Sequence, residues 1–136
     1  MNNTATETRS VVVEREIPYP PEKIWRALTQ PHLIEEWLMK NDLKPVVGHR
    51  FDLRADWGAV HCQVVAVEPN KTLSYKWEAY DLKSVVTWTL TPTSTGTHLR
   101  MEQSGFRPDQ QQAYQGAHHG WQRFLASLER VVARTD

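Results

Sequence analysis

The chain has 136 residues, with 16 basic and 16 acidic side chains and no formal net charge. That length suits one domain with one core, and the balanced charge argues against a general nucleic-acid or anionic-membrane surface, which needs a cationic excess. A single cysteine excludes an intramolecular disulfide and a multi-cysteine zinc site, and no run approaches the roughly 18 apolar residues of a membrane helix.

One count stands out. There are six tryptophans, at positions 25, 37, 57, 77, 88 and 121. The start, Met1 to Ser10, is polar and has no apolar h-region. It reads as a chain without a secretory signal, so a cytoplasmic location is expected. Residues 1–9 are predicted to form a flexible tail, and residues 10–136 a single domain.

From Ser10 to Ile17 the pattern is that of a strand, with Val11, Val13 and Ile17 on one parity. Arg15 falls on the same face. It is either an edge arginine snorkelling to water or a cation facing an interior cavity. Pro18, Pro20 and Pro21 end the strand. Two short helices are predicted next, over Glu22–Thr29 and Pro31–Leu38, with Ile24, Trp25 and Leu28 on the first apolar stripe. Residues 39–49 read as a loop.

Five strand-like runs follow. Phe51 and Leu53 alternate with polar residues, and Val60–Val67 is a mainly apolar stretch closed by Pro69 and Asn70. Leu73, Tyr75 and Trp77, then Val86, Trp88 and Leu90, then Thr97, Leu99 and Met101 alternate with polar neighbours. Short joints with turn chemistry predict an antiparallel meander with one buried face. Asp109 is the expected N-cap of a long amphipathic helix reaching Arg134. The prediction is an α+β fold. A curved six-stranded antiparallel sheet wraps around the long C-terminal helix, with two short helices between strands 1 and 2.

That last helix is uneven. Its second half is bulky (Trp121, Phe124, Leu125, Leu128), whereas the first half offers Ala113, Gly116, Ala117 and Gly120 on the same side. Mid-helix glycine costs about 1 kcal/mol relative to alanine. Either the helix packs closely against a neighbour there, or a cavity is kept open beneath it.

The six histidines have no metal-site spacing: His118 and His119 are adjacent, and no H-x-x-x-H occurs. No metal and no cofactor are expected. Cys62 follows His61, but strand neighbours point to opposite faces, so they do not form a catalytic pair. No nucleophile elbow, P-loop or dinucleotide fingerprint is present, and no catalytic residue is assigned. The aromatic set remains. Trp77, Trp88, Phe51 and Met101 share the inward parity, Trp121 faces them from the helix, and Trp37 and Trp57 are placed near the openings. Aromatic stripes of this kind either form a core or line a pocket for an apolar ligand. In the pocket reading His118, one turn before Trp121, is a polar group near it, with Arg15, Gln103 and Tyr114 as weaker candidates.

Seven stretches carry a resemblance. They are Ile17–Thr29 (IPYPPEKIWRALT), Trp37, Val67–Trp77 (VEPNKTLSYKW), Val86–Leu90 (VTWTL), Thr95–Leu99 (TGTHL), Ser104–Phe106 (SGF) and the pair Gly120-Trp121. In this order they resemble the helix-grip or START-like (SRPBCC, Bet v 1-like) superfamily, and within it the Hsp90-ATPase-activator-homologue group. One departure is Pro45-Val-Val-Gly48, where the family usually has a Pro-Gly-Gly type turn. The resemblance implies a hydrophobic small-molecule binder. Some branches are cyclases, hydroxylase subunits or hydrolases, and the group's name comes from a two-domain cochaperone. The expected function is therefore binding of a small hydrophobic or aromatic ligand between sheet and C-terminal helix. A cyclase- or hydrolase-type enzyme in the same cavity and a cochaperone-like interaction protein are the alternatives. The expected partner is a small molecule, with no nucleic acid, no membrane and no Hsp90-type chaperone. Monomer and homodimer stay open.

Overall fold

The computed structural model describes residues 8–135. The tail expected over residues 1–9 lies outside them up to residue 7, and Arg9 already belongs to the first strand. Strand β1 (Arg9–Ile17) stops at Pro18, where the Tyr19 amide turns back to the Ile17 carbonyl at 2.8 Å. Pro21 then opens α1 (Pro21–Thr29) at a position whose amide would have no helical partner. Pro31 opens α2 (Pro31–Trp37) in the same way.

Pro31 has a second effect. It has no N–H, so the Ala27 carbonyl near the end of α1 lacks its i+4 donor. The Trp37 indole takes that place, donating from Nε1 to the Ala27 oxygen at 2.8 Å. Trp37 is thereby fixed in the core, not at an opening as its position suggested.

The remaining strands are β2 (Lys40–Asn41), β3 (Arg50–Ala55), β4 (Gly58–Glu68), β5 (Thr72–Ala79), β6 (Leu82–Pro92) and β7 (Thr97–Phe106). They form one antiparallel sheet in the order β1-β7-β6-β5-β4-β3-β2. The sheet has seven strands where six were expected. The added one, β2, lies in the predicted loop 39–49 and pairs only Lys40 with Arg54 and Asn41 with Leu53. Two residues carry no readable period. The Asn41 side chain holds the segment, donating to the carbonyls of Pro31 at 3.2 Å and Met39 at 3.0 Å.

At the β6–β7 turn only glycine fits: a Cβ on Gly96 would overlap the Ile17 carbonyl and crowd the Pro18 backbone. Thr97 closes the junction, its hydroxyl donating to the Tyr19 carbonyl at 2.7 Å. Register confirms the alternation: Val13 faces Met101, which faces Trp88, which faces Leu73. All four are buried.

Helix α3 (Gln111–Arg134) covers that face, with Trp121, Leu125, Leu128, Val131 and Val132 buried. It starts one residue later than expected, with Gln110, not Asp109, before it. Asp109 is engaged elsewhere, accepting from Arg107 Nε at 3.0 Å. The guanidinium holds its carboxyl below the usual carboxylate range. The buried Gln110 accepts from the Arg107 amide at 2.9 Å and donates to the Asp81 carbonyl at 3.1 Å. The head of α3 is thus fastened to the β5–β6 turn, while Arg134 pairs with Glu36 and fastens its tail to α2.

Candidate functional site

Where α3 is bulky, it meets the sheet. Trp88 is the centre of that contact, fully buried, with its ring edge-on to Trp37 at 5.6 Å and to Trp121 at 5.7 Å. Its Nε1 donates to the Tyr75 hydroxyl at 3.0 Å, and burial pushes that phenol well above its ordinary pKa. Phe51 packs edge-on against Tyr75 at 5.4 Å. Trp37, Phe51, Trp88 and Met101, all candidate ligand contacts in the sequence, are therefore core.

Where α3 is small, a cleft opens between helix and sheet. Its volume is about 200 Å³. On the helix side it is lined by Ala113, Gly116, Ala117, Gly120, Trp121 and Phe124. Trp77, Leu82 and Gln103 line the sheet side. Trp77 and Trp121 meet at its floor, with ring centroids 5.2 Å apart, and Phe124 stands edge-on to Trp121 at 5.6 Å. An apolar cavity of about 150 Å³ is enough for benzene, so the cleft is of single-ring size.

One polar side chain is held inside this aromatic wall. Gln103 on β7 is only 2% exposed. Trp121 Nε1 donates to its Oε1 at 2.7 Å, and its Nε2 donates to Ser84 Oγ at 3.0 Å. Ser84 in turn donates to the Trp77 carbonyl at 2.8 Å. An indole N–H is only a donor, so the amide orientation is set by this network. No described residue accepts from the Trp77 Nε1.

The other candidates lie elsewhere. His118 is exposed and outside the cleft lining. At about 100° per residue it sits about 60° round the helix from Trp121, on the side away from Gly120. Tyr114 packs on Phe106 and donates to the Ser10 carbonyl at 3.3 Å. Arg15 reaches along the edge of the sheet, donating to the Gln122 carbonyl at 3.3 Å and pairing with Glu129 at 3.5 Å. That is the snorkelling arrangement; its Nε is buried without a partner among the described residues. Trp57, 53% exposed on the β3–β4 turn, lies beside the exposed Tyr80. Leu82 and Phe124 were not among the candidates. Leu82 shares the parity of Ser84, Val86 and Trp88, which was the available signal.

Cys62 and His61 occupy opposite faces of β4 as expected. The His61 Nδ1 lies 2.9 Å from Asp52 Oδ1, while Cys62 is buried and its thiol pKa is pushed well up by burial. Among the described residues no three His, Cys, Asp or Glu side chains are grouped to hold a metal ion. Four larger hollows exist among the described residues. One, of about 280 Å³, lies among charged outer-face residues such as Arg50, Lys76 and Glu78. The others are of about 330 Å³ beside Pro18 and Pro92, about 410 Å³ around Asp42 and Phe51, and about 710 Å³ along the 41–45 segment beside Pro31. None of the four is lined by a tryptophan, whereas Trp77, Trp121 and Phe124 wall the smaller cleft, which makes it the stronger site for an aromatic ligand.

Comparison with known proteins agrees with this architecture. Residues 18–133 match the family described as activator of Hsp90 ATPase homolog 1-like protein. The chain belongs to this family. Its members bind ligands or act as polyketide cyclases. Among solved structures, the Mesorhizobium loti protein MLL2253 is 68% identical, covering 94% of this chain and 99% of its own, with a TM-score of 0.90. The Bacillus halodurans protein BH1534 is 27% identical over 91% of this chain and 96% of its own, with a TM-score of 0.82. DynU16, from the dynemicin biosynthetic locus, shares the fold at 23% identity and a TM-score of 0.84, over 92% of this chain and 47% of its own. No curated protein matches the chain.

Proposed function

We propose that this protein binds a small, flat, hydrophobic or aromatic molecule in the cleft between the sheet and the first half of α3. One observation carries the reading. Gly116 and Gly120 weaken the helix, yet neither is needed for close packing. A Cβ on Gly116, exposed at the mouth of the cleft, would meet nothing within 4 Å, and one on the half-buried Gly120 only the edge of Phe124 at 4.0 Å. Space is kept there at a cost in helix stability of about 1 kcal/mol per glycine. Trp77, Trp121 and Phe124 supply the aromatic walls such a ligand needs.

An enzyme reading is less well supported, because acid–base chemistry needs titratable groups facing the substrate. The cleft lining contains no titratable side chain in its working range; the polar group is the Gln103 amide. The test is tryptophan fluorescence against a panel of small aromatic and aliphatic compounds. Saturable quenching is expected, and it disappears in Gly116→Leu, which fills the cleft while circular dichroism stays native. Absence of saturable quenching across the panel, or unchanged quenching in the filled variant, overturns the proposal.

A further inference from the structure

We infer that Gln103 sets the ligand selectivity of this cleft, admitting an uncharged aromatic ring with one neutral hydrogen-bonding substituent and rejecting its carboxylate counterpart. The inference rests on the cleft being the binding site. The amide is almost wholly buried and cannot turn, because Trp121 Nε1 holds its oxygen and Ser84 Oγ accepts from its nitrogen. An amide has two donor hydrogens and two acceptor lone pairs. One of each is used, so one N–H and one lone pair remain for a ligand. Beside it, the Trp77 indole N–H has no acceptor among the described residues, and Trp77 lines the same cleft.

The rejection of charge follows from what surrounds the amide. The other groups lining the cleft are apolar or aromatic. No charged side chain lines the cleft; at the head of α3 Arg107 pairs with Asp81 and Asp109 and the Arg9 guanidinium lies over the Tyr114 ring at 4.3 Å, while Arg123, one turn after Gly120, is exposed to solvent. A carboxylate entering the cleft gives up water and meets no cation among the lining residues, which is unfavourable. A neutral carbonyl or carboxamide gives up less and finds a complementary partner in a fixed orientation.

Three near-isosteric probes separate these effects: benzamide and acetophenone, both neutral, and benzoate, which is anionic at neutral pH. Titrations of the ¹⁵N-labelled protein are followed through the side-chain amide resonance of Gln103 and the indole resonances of Trp77 and Trp121. Benzamide and acetophenone are expected to saturate these shifts, with benzoate at least about tenfold weaker. Gln103→Leu is expected to narrow the gap between benzamide and an unsubstituted ring such as toluene. Because that variant also strands the Trp121 N–H, the ranking in the unaltered protein decides the matter. Benzoate binding as tightly as benzamide overturns the selectivity and leaves the cleft as a binding site. Failure of all three and of toluene to move the resonances overturns the cleft itself.

Discussion

Replacing Gly116 and Gly120 by alanine distinguishes an open cleft from a tight helix–sheet contact. In a helix interior each change is worth about 0.8–1.0 kcal/mol from backbone entropy alone. Gly116 has open space at the Cβ position, so nothing subtracts from that gain. At Gly120 the new methyl would lie 4.0 Å from Phe124 Cε2, an ordinary contact. The two sites are four residues apart and share one cleft, so the single variants are needed beside the double. If the effects add, the double variant gains about 2 kcal/mol. Unfolding entropy of about 2.1 cal/mol/K per residue over 136 residues amounts to about 0.29 kcal/mol/K. The expected rise in Tm is thus about 7 °C, read by calorimetry. Ligand affinity should fall at the same time, since two methyl groups enter a space of about 200 Å³. A lower Tm in either single variant would refute the reasoning, because it would mean that the glycines are held by close contact.

Trp37→Phe keeps an aromatic six-membered ring but removes the pyrrole half with the N–H that satisfies the Ala27 carbonyl. The loss should be about 1–3 kcal/mol by urea denaturation, and a change below about 0.3 kcal/mol would contradict the role given to Pro31. His98 Nε2 lies 2.7 Å from Glu14 Oε1, and its Nδ1 is bonded to Glu16, so its pKa is raised, first by the Glu16 bond and then by that to Glu14. The sign follows from linkage: the added stability is fully present below the unfolded histidine pKa of about 6.5 and is lost as pH rises through the higher folded value. Urea midpoints of the native protein and His98→Gln should therefore converge above that value and differ below it, while equal differences at every pH would count against the pairing. Cys62 should resist Ellman's reagent at pH 8 until the protein is denatured, because burial disfavours the thiolate. Rapid native labelling would contradict its placement.

The sheet was legible because alternation is a direct record of burial. Leu73, Tyr75 and Trp77, then Val86, Trp88 and Leu90, occupy the buried face as their parity requires. What escaped were features set by long-range partners. Asp109 has the chemistry of an N-cap but is drawn to Arg107, and Gln110, tied to Asp81 across the fold, precedes the helix instead. Trp37 is core because a proline six residues earlier leaves a carbonyl without a donor. For the site, the small half of α3 was visible as Ala113, Gly116, Ala117 and Gly120. That the space beneath it is open depends on where the sheet passes. His118 is a different case: helical geometry alone turns it from the face that carries Gly116, Gly120 and Phe124.

The central claim is that Trp77 and Trp121 line an accessible cleft while Trp37 and Trp88 are sealed in the core. Six indole N–H resonances in a ¹H–¹⁵N spectrum report on this together, titrated with benzamide to saturation. The Trp77 and Trp121 signals should move with one common dissociation constant while those of Trp25 and Trp57 stay in place. Movement confined to the exposed Trp57, or no movement of Trp77 and Trp121, would contradict it.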